Sequence, residues 1–168
     1  MPQSKFNNYS DNELKQWIEN HEKARKTNVP RYSLLIDELA KRLESRHKLS
    51  VALSIQHLKN CSIQEKYTTY GELAEVSRVP WSQARMHMNG SHGHLDTLLR
   101  YCHSNNLPYF PAICVNQKMR EIGKLEDVAL EGFIKGIHRL GISTNNAEAY
   151  HEFCCKQCWE WGRLNKKL

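Results

Sequence analysis

The sequence predicts a mainly α-helical fold: a winged helix-turn-helix with a short β wing, flanked by an N-terminal helical hairpin and by C-terminal helices. Apolar residues recur at three- and four-residue steps in most segments, which is typical of helices that bury one face. Two short helical patterns meet at a turn that contains Pro80, as in a helix-turn-helix. An apolar strand and a polar loop follow and predict the wing. We divide the chain accordingly into residues 1–48, 49–127 and 128–168.

The first unit, residues 1–48, is expected to fold as a helical hairpin. Ser10 or Asp11 can cap its first helix. The apolar face of that helix carries Leu14, Trp17, Ile18 and His21. Pro30 suits the first turn of the second helix, whose inner face carries Tyr32, Leu35, Ile36, Leu39 and Leu43. We interpret the hairpin as a packing or dimerisation arm; in the alternative, its basic residues contact phosphates (Lys23, Arg25 and Lys26).

The middle unit, residues 49–127, opens with a third helix from Ser50 to about Lys59. Its inner face is expected to carry Ala52, Leu53, Ile55 and Leu58. A β-branched and aromatic segment then leads to two short helical patterns, 72–77 and 81–88, joined by a tight turn. Two short helices in this order, the second preceded by a proline, predict a helix-turn-helix.

The second half of the middle unit is expected to complete the wing. The histidine-rich residues 89–94 form a flexible break. A helix that starts at Leu95 buries Leu98, Leu99 and Cys102. An apolar strand at 112–115, a polar loop at 116–123 and a return strand near Leu125 then follow in the order of a wing.

The third unit, residues 128–168, carries two further helices and half of the six cysteines. Cys154, Cys155 and Cys158, with His151, resemble a zinc set at first sight. Cys154 and Cys158, however, fall on one apolar stripe of a single helix over 145–164. A structural zinc site also needs a second short-spaced pair of ligands. We therefore expect the thiols to be packing residues in a reducing compartment, and we expect no metal or other cofactor.

Charge and hydropathy exclude some classes of protein and allow one class of partner. The 168 residues carry a net charge of +6 at pH 7, with 40% hydrophobic and 25% charged residues, which is the balance of a globular protein. No apolar run approaches the roughly 18 residues of a membrane-spanning helix, so no membrane partner is expected. The first residues lack the apolar stretch of a signal peptide, so the cytoplasm is the expected location. The oligomeric state stays open.

The basic charge is concentrated between Ser77 and Lys124, where six lysines and arginines stand against two acidic residues, a local net charge of +4. Such a segment can neutralise phosphates while a short helix enters the major groove. Arginine suits guanine and glutamine suits adenine. A solvated basic face is the alternative. The predicted interface with double-stranded DNA comprises Arg78, Ser82, Gln83, Arg85, His87, Lys118, Arg120 and Lys124.

Two segments of the middle unit carry a resemblance to a known family. Residues 66–74 read KYTTYGELA and follow a helix, and residues 107–115 read LPYFPAICV. With Pro80 and Arg85 between them, these segments are similar to the DNA-binding domain of the O6-alkylguanine-DNA alkyltransferases. That family has a Thr-Tyr-Gly-Glu-Leu-Ala signature and a Pro-Cys-His-Arg-Val active-site motif. The resemblance covers residues 49–124, just under half of the chain.

The departures from that family bear on function. The alkyl-accepting Cys falls on Ala112 and the activating His falls on Ile113, so the pair that would form a nucleophilic thiolate is missing. The chain therefore looks closest to the non-catalytic alkyltransferase-like proteins. This resemblance implies a damage sensor without enzymatic activity, in which Tyr70 presses on the phosphate of a rotated nucleotide and Arg85 fills the gap in the duplex.

Three functions from different classes follow from the sequence. The first is a non-enzymatic protein that binds double-stranded DNA and senses modified bases or reads duplex sequence or shape. The second is an interaction protein, such as a phage or mobile-element accessory factor, that docks its winged-helix surface or its hairpin on another protein. The third is an enzyme or a metal-binding protein, for which the spacing of a few histidines and cysteines is weak evidence. Its candidate residues are His92, His94, Cys102 and His103, or the Cys154 group.

Overall fold

The computed structural model describes residues 5–166, so the ends of the first and third predicted units, 1–4 and 167–168, lie outside the described residues. Within that range the chain forms eight α-helices and two very short strands. The helices are α1 (Asp11–Lys23), α2 (Pro30–His47), α3 (Val51–Ile63), α4 (Tyr70–Val76), α5 (Trp81–Met88), α6 (His94–Ser104), α7 (Asp127–Arg139) and α8 (Ala147–Leu164). The strands are β1 (Thr68–Thr69) and β2 (Cys114–Val115). The prediction of a mainly α-helical protein is confirmed.

Helices α1 and α2 form the expected hairpin, and local sequence determines where each begins. The Ser10 hydroxyl accepts a hydrogen bond from the Glu13 amide (3.1 Å), and the Glu13 carboxylate accepts one from the Ser10 amide (2.6 Å). This capping box satisfies two backbone donors. Pro30 is the first residue of α2, where its missing N–H costs nothing. The facing sides of the two helices bury Leu14, Ile18, Tyr32, Leu35, Ile36 and Leu39, and Phe6, which precedes α1, belongs to the same cluster.

Trp17 departs from the apolar face that was predicted for α1. Its side chain is 40% exposed, and the guanidinium of Arg31 lies 5.1 Å from the centre of its ring. A cation over an indole face is a favourable electrostatic contact. Trp17 therefore joins α1 to the surface of α2 rather than to the core of the hairpin.

A second and larger hydrophobic cluster extends from Leu49 to Cys158 and takes residues from α3 to α8. Cys154 and Cys158 lie in it with 2% and 0% of their surface exposed, as the apolar stripe predicted. Because α7 and α8 share this core with the middle unit, packing is continuous across the predicted boundary at 127. The boundary at 48 falls between the two clusters. The division into three units stays a prediction.

The buried face of α3 differs from the predicted one. Ser54, Ile55, Leu58 and Cys61 are buried, whereas Leu53 is 51% exposed and Ala52 is exposed as well. The crossing of α3 and α8 explains the choice of face. A Cβ atom on Gly162 would lie only 2.1 Å from the carbonyl oxygen of Ser62. The two backbones therefore touch at this point, and the face of α3 that includes Ser62 must turn towards α8.

The predicted wing is not formed as expected. β2 pairs with β1 in parallel, Thr68 opposite Cys114 and Thr69 opposite Val115, and no strand is found at Leu125. A 3-10 helix over Phe110–Ile113 occupies the first half of the predicted strand. The loop after β2 bends back, because Gly123, with a φ of +72°, lies so close to the ring of Tyr67 that no Cβ would fit. Leu125 consequently packs on the main cluster instead of pairing with β2.

A buried cluster of charged side chains joins the hairpin to α6. The Arg100 guanidinium donates to both oxygens of Glu22 (2.6 and 3.2 Å) and to Asp96 (2.6 Å). All three side chains are less than 10% exposed. Tyr32 donates to the Glu22 carboxylate (2.8 Å), and Arg139 of α7 donates to Asp96 (2.8 Å). The segment 89–105 therefore attaches the hairpin to the rest of the protein.

No helix between residues 5 and 166 combines the length and the apolar character that crossing a membrane requires.

Replacing Gly162 by Ala is expected to lower the free energy of unfolding by about 1–3 kcal/mol, because a new methyl group would press on the Ser62 carbonyl. Gly132→Ala in α7 is the matched control. A Cβ there meets nothing within 4 Å, and alanine is the better helix former. Urea denaturation of the two variants checks the prediction, and equal stabilities would contradict the close helix crossing.

Replacing Arg100 by Met is expected to lower the free energy of unfolding by about 3–5 kcal/mol, because it leaves the Glu22 carboxylate buried without a cation. Lys135→Met removes a positive charge from an exposed pair on α7 and should leave the unfolding midpoint almost unchanged. The measurement is chemical denaturation at neutral pH. An Arg100→Met variant as stable as the unaltered protein would show that the cluster does not hold the hairpin.

Candidate nucleic-acid interface

The two short helices at the centre of the sequence prediction are formed, and α5 has the predicted limits. The Thr69 hydroxyl caps α4 by accepting from the Glu72 amide (3.2 Å). The turn between the helices is tied to the start of α3, since the Ser50 amide donates to the Ser77 hydroxyl (2.9 Å). Arg78 adopts a left-handed conformation in this turn, with a φ of +58°. The turn therefore holds α5 at the surface in one orientation.

Helix α5 buries two residues, half-buries His87 and exposes the other five. Ala84 and Met88 are fully buried, which fixes the rotation of the helix about its axis. Ser82, Gln83 and Arg85 are exposed, as a recognition helix requires. Two large apolar side chains share the exposed surface: Trp81 is 43% and Met86 is 75% exposed. Helix α5 thus exposes both polar and apolar side chains to a partner.

Three of the predicted basic side chains remain available to a partner. The side chains of Arg78, Arg85 and Lys124 are exposed, and within residues 5–166 none of them forms an ion pair. Lys118 is exposed too, although its ammonium lies 2.7 Å from the carboxylate of Glu126. A surface pair of this kind is weak, so Lys118 can exchange Glu126 for a phosphate at little cost.

Two other bases in the segment of charge +4 are engaged elsewhere. Arg120 is half-buried and forms an ion pair with Glu72 of α4. The same carboxylate accepts a hydrogen bond from the Thr68 hydroxyl (2.8 Å). Arg100 is buried in the cluster with Glu22 and Asp96. The available basic charge is therefore smaller than the sequence suggested.

His87 has a different environment from the other predicted contacts. Its ring is half-buried and stacks on that of His47, with centroids 3.6 Å apart and an angle of 13° between the planes. Burial, and then the positive charges of His87, Arg46 and Lys15, lower the pKa of His47. The end of α2 is thus part of the positive surface beside α5, a contribution that no local sequence pattern reveals.

Tyr70 lies at the start of α4 and is half-buried. It packs against the main hydrophobic cluster. Burial, together with the nearby Cys114 and Glu126, raises the pKa of its hydroxyl. The negative charge of Glu126 near this phenol would repel an approaching phosphate. Tyr70 is therefore poorly placed to contact a phosphate.

Ala112, where the resembling family has its reactive cysteine, is completely buried. Its carbonyl oxygen accepts a hydrogen bond from Nε2 of His151 (2.8 Å) and a weaker one from the Cys155 thiol (3.5 Å). Both donors come from α8. Helix α8 therefore covers the backbone at Ala112.

Two cysteines lie beside a histidine, but neither pair is arranged to make a thiolate. His151 carries its proton on Nε2, since that nitrogen donates to a carbonyl, and so it cannot take the proton of Cys155 at 3.6 Å. The Thr68 hydroxyl donates its proton to Glu72, so Nε2 of His57 must donate to the Thr68 oxygen (2.7 Å). Cys61 lies 3.6 Å from the same nitrogen, which therefore cannot take the thiol proton. Burial raises the pKa of Cys155 to about 12.

The remaining polar candidates are separated. His92 bonds to Glu19 (2.9 Å) and His94 bonds to Ser54 (2.8 Å). His103 bonds to Tyr109 and to Thr27, each at 2.9 Å. In the described part of the chain, no three His, Cys, Asp or Glu side chains are grouped so as to hold a metal ion.

No protein-family model, curated protein or solved structure matches this chain. The resemblance to the alkyltransferase DNA-binding domain therefore stays a prediction from the residues quoted for it.

The thiols are expected to react slowly in the folded protein. All six cysteines are buried, and burial also raises the pKa of Cys102 and Cys154 to about 12. With Ellman's reagent at pH 8, we expect little reaction in buffer and rapid reaction of all six in guanidinium chloride, because the thiolate is the reactive form. A single thiol that reacts within the mixing time at pH 7 would contradict this and would indicate an activated cysteine.

Proposed function

We propose that this chain is a non-enzymatic protein that binds double-stranded DNA by placing α5 in a groove. The observation that carries the proposal is the exposed surface of α5, where Ser82, Gln83 and Arg85 project from a helix whose rotation is fixed by Ala84 and Met88. Such a helix, held by a shorter one through a tight turn, can present three side chains to base edges. The cytoplasmic location expected from the sequence belongs to the same proposal.

The side chains divide into base-reading and phosphate-binding groups. Arg85 is suited to the O6 and N7 atoms of guanine, Gln83 to adenine, and Ser82 to either base. Arg78 on the turn and the two lysines of the loop after β2, Lys118 and Lys124, supply cations for the backbone. His87 takes a place at the edge of the interface because of its stack with His47. Arg120 contributes by holding that loop against α4.

The absence of enzymatic activity in this proposal rests on the environment of the thiols. A nucleophilic cysteine needs a base that can accept its proton. Both neighbouring histidines carry a proton on the nitrogen that faces sulfur. Ala112 offers no nucleophile at the position that the resemblance marks as reactive.

Reading of duplex sequence or shape is favoured over rotation of a modified nucleotide. A rotated base needs a pocket in which it is recognised. The buried Ala112 and the carboxylate beside Tyr70 give no support to a pocket of the alkyltransferase kind. Sensing of modified bases remains the narrower alternative, because Arg85 is exposed and able to enter a duplex.

A protein-interaction factor, of the kind found in phages and mobile elements, is the second candidate. The observation that favours it is the exposure of Trp81 and Met86 on α5. Large apolar side chains grouped at a surface mark sites of protein contact. Salt distinguishes the two functions, since phosphate contacts weaken steeply as salt rises and apolar contacts do not.

Replacing Arg85 by Ala is expected to weaken duplex binding by a factor of about 5 to 150, because a good arginine–base contact is worth roughly 1–3 kcal/mol. The measurement is a gel-shift titration with plain and alkylated duplexes at two salt concentrations. Lys135→Ala, which removes a positive charge from the exposed surface of α7, is the matched control and should bind as the unaltered protein does.

Each result of this titration separates two functions. A loss confined to the alkylated duplex would support nucleotide rotation, and equal losses on both duplexes would contradict it. Unchanged affinity of Arg85→Ala would contradict an interface centred on α5. Retention on DNA that does not change with salt would contradict binding through the phosphate backbone.

A further inference from the structure

A cleft with a volume of about 930 Å³ lies away from α5. Its walls are the loop between α1 and α2, the segment that follows α6, and one side of α8. Ligand sites in proteins commonly enclose roughly 300–1,000 Å³ and are lined by aromatic side chains with a few polar groups. The size of this cleft is therefore that of a binding site.

Aromatic rings line much of the cleft. They are Tyr109, Tyr150, Phe153 and Trp161, and the rings of Tyr150 and Phe153 have centroids 5.9 Å apart. Phe153 is 52% exposed, and Leu164 at the far end of α8 is 80% exposed. Between Tyr150 and Leu164 the helix rises roughly 21 Å. The cleft is thus an elongated groove, long enough for several residues of an extended peptide.

The charge of the groove favours a cation. Among the described residues that line it there is no lysine or arginine, and Glu160 is the one carboxylate. Burial lowers the pKa of His103, so its imidazole is neutral at neutral pH. Helix α6 ends at Ser104, in the wall of the groove, and the C-terminal end of a helix carries partial negative charge. The faces of aromatic rings also attract cations.

We propose that this groove binds a partner protein through a peptide segment that bears lysine or arginine side chains. The aliphatic parts of those side chains lie along Phe153 and Leu164, and their ammonium or guanidinium groups face the aromatic rings and Glu160. The contact of the Lys59 ammonium with the ring of Trp161, at 5.8 Å, shows that this indole already attracts a cation from outside the groove. The site shares no lining residue with α5, so a peptide and DNA can be bound together.

The test is isothermal titration calorimetry of the full chain with two capped eight-residue peptides. One peptide alternates leucine and arginine, and the other alternates leucine and glutamate. The arginine peptide is expected to bind and the glutamate peptide is not. Glu160→Gln and Phe153→Ala should each weaken binding about two- to five-fold. Both side chains are exposed, so the variants keep the fold. Glu152→Gln on the same helix, outside the groove, is the matched control and should bind normally.

Three results would overturn the proposal. The first is an affinity for the arginine peptide that Glu160→Gln and Phe153→Ala leave unchanged. The second is binding of tetramethylammonium at the groove without binding of either peptide, which would assign the site to a small organic cation. The third is binding of the glutamate peptide as tightly as the arginine peptide, which would show that charge does not select the occupant of the groove. None of these results depends on whether α5 binds DNA.

Discussion

The contact between Arg100 and Glu22 determines how the two hydrophobic clusters of this protein are joined. Both side chains are almost fully buried, and an ionised group in such a place is tolerated only with a partner of opposite charge and a full set of hydrogen bonds. Asp96, Tyr32 and Arg139 complete that set. Since the geometry of an arginine fork is strict, α1 can approach α6 in essentially one way. The hairpin consequently sits where its loop, with Thr27 bonded to His103, becomes one wall of the large groove.

The helices could be predicted from the sequence because the forces that form them are local. Ser10 with Glu13, Pro30 at the start of α2, and the three- and four-residue spacing of apolar residues all act within a few positions. The limits of α5 follow from Pro80 and from the break after Met88. Local interactions of this kind are as visible in the sequence as in the fold.

What could not be predicted depends on partners that are distant in the sequence. Arg100 and Arg120 looked like surface bases, yet they pair with Glu22 and Glu72, which are 78 and 48 residues away. The prediction of a return strand for the wing was wrong for a similar reason, because β2 pairs with β1 and Gly123 lies against Tyr67. The groove, too, is assembled from three separate parts of the chain. For the candidate interface, the sequence thus identified the helix but overestimated the charge around it.

Gly162 has a consequence for the way the protein is made. The larger core closes only when α8 meets α3, and these two helices lie at opposite ends of the segment that forms it. During synthesis the hairpin has all the residues of its own cluster early and can fold first. The segment around Ala112 then stays uncovered until α8 has left the ribosome. Contacts between such distant parts also slow folding. The nascent chain is therefore exposed to aggregation until α8 emerges, and a protein truncated within α8 would keep that exposure permanently.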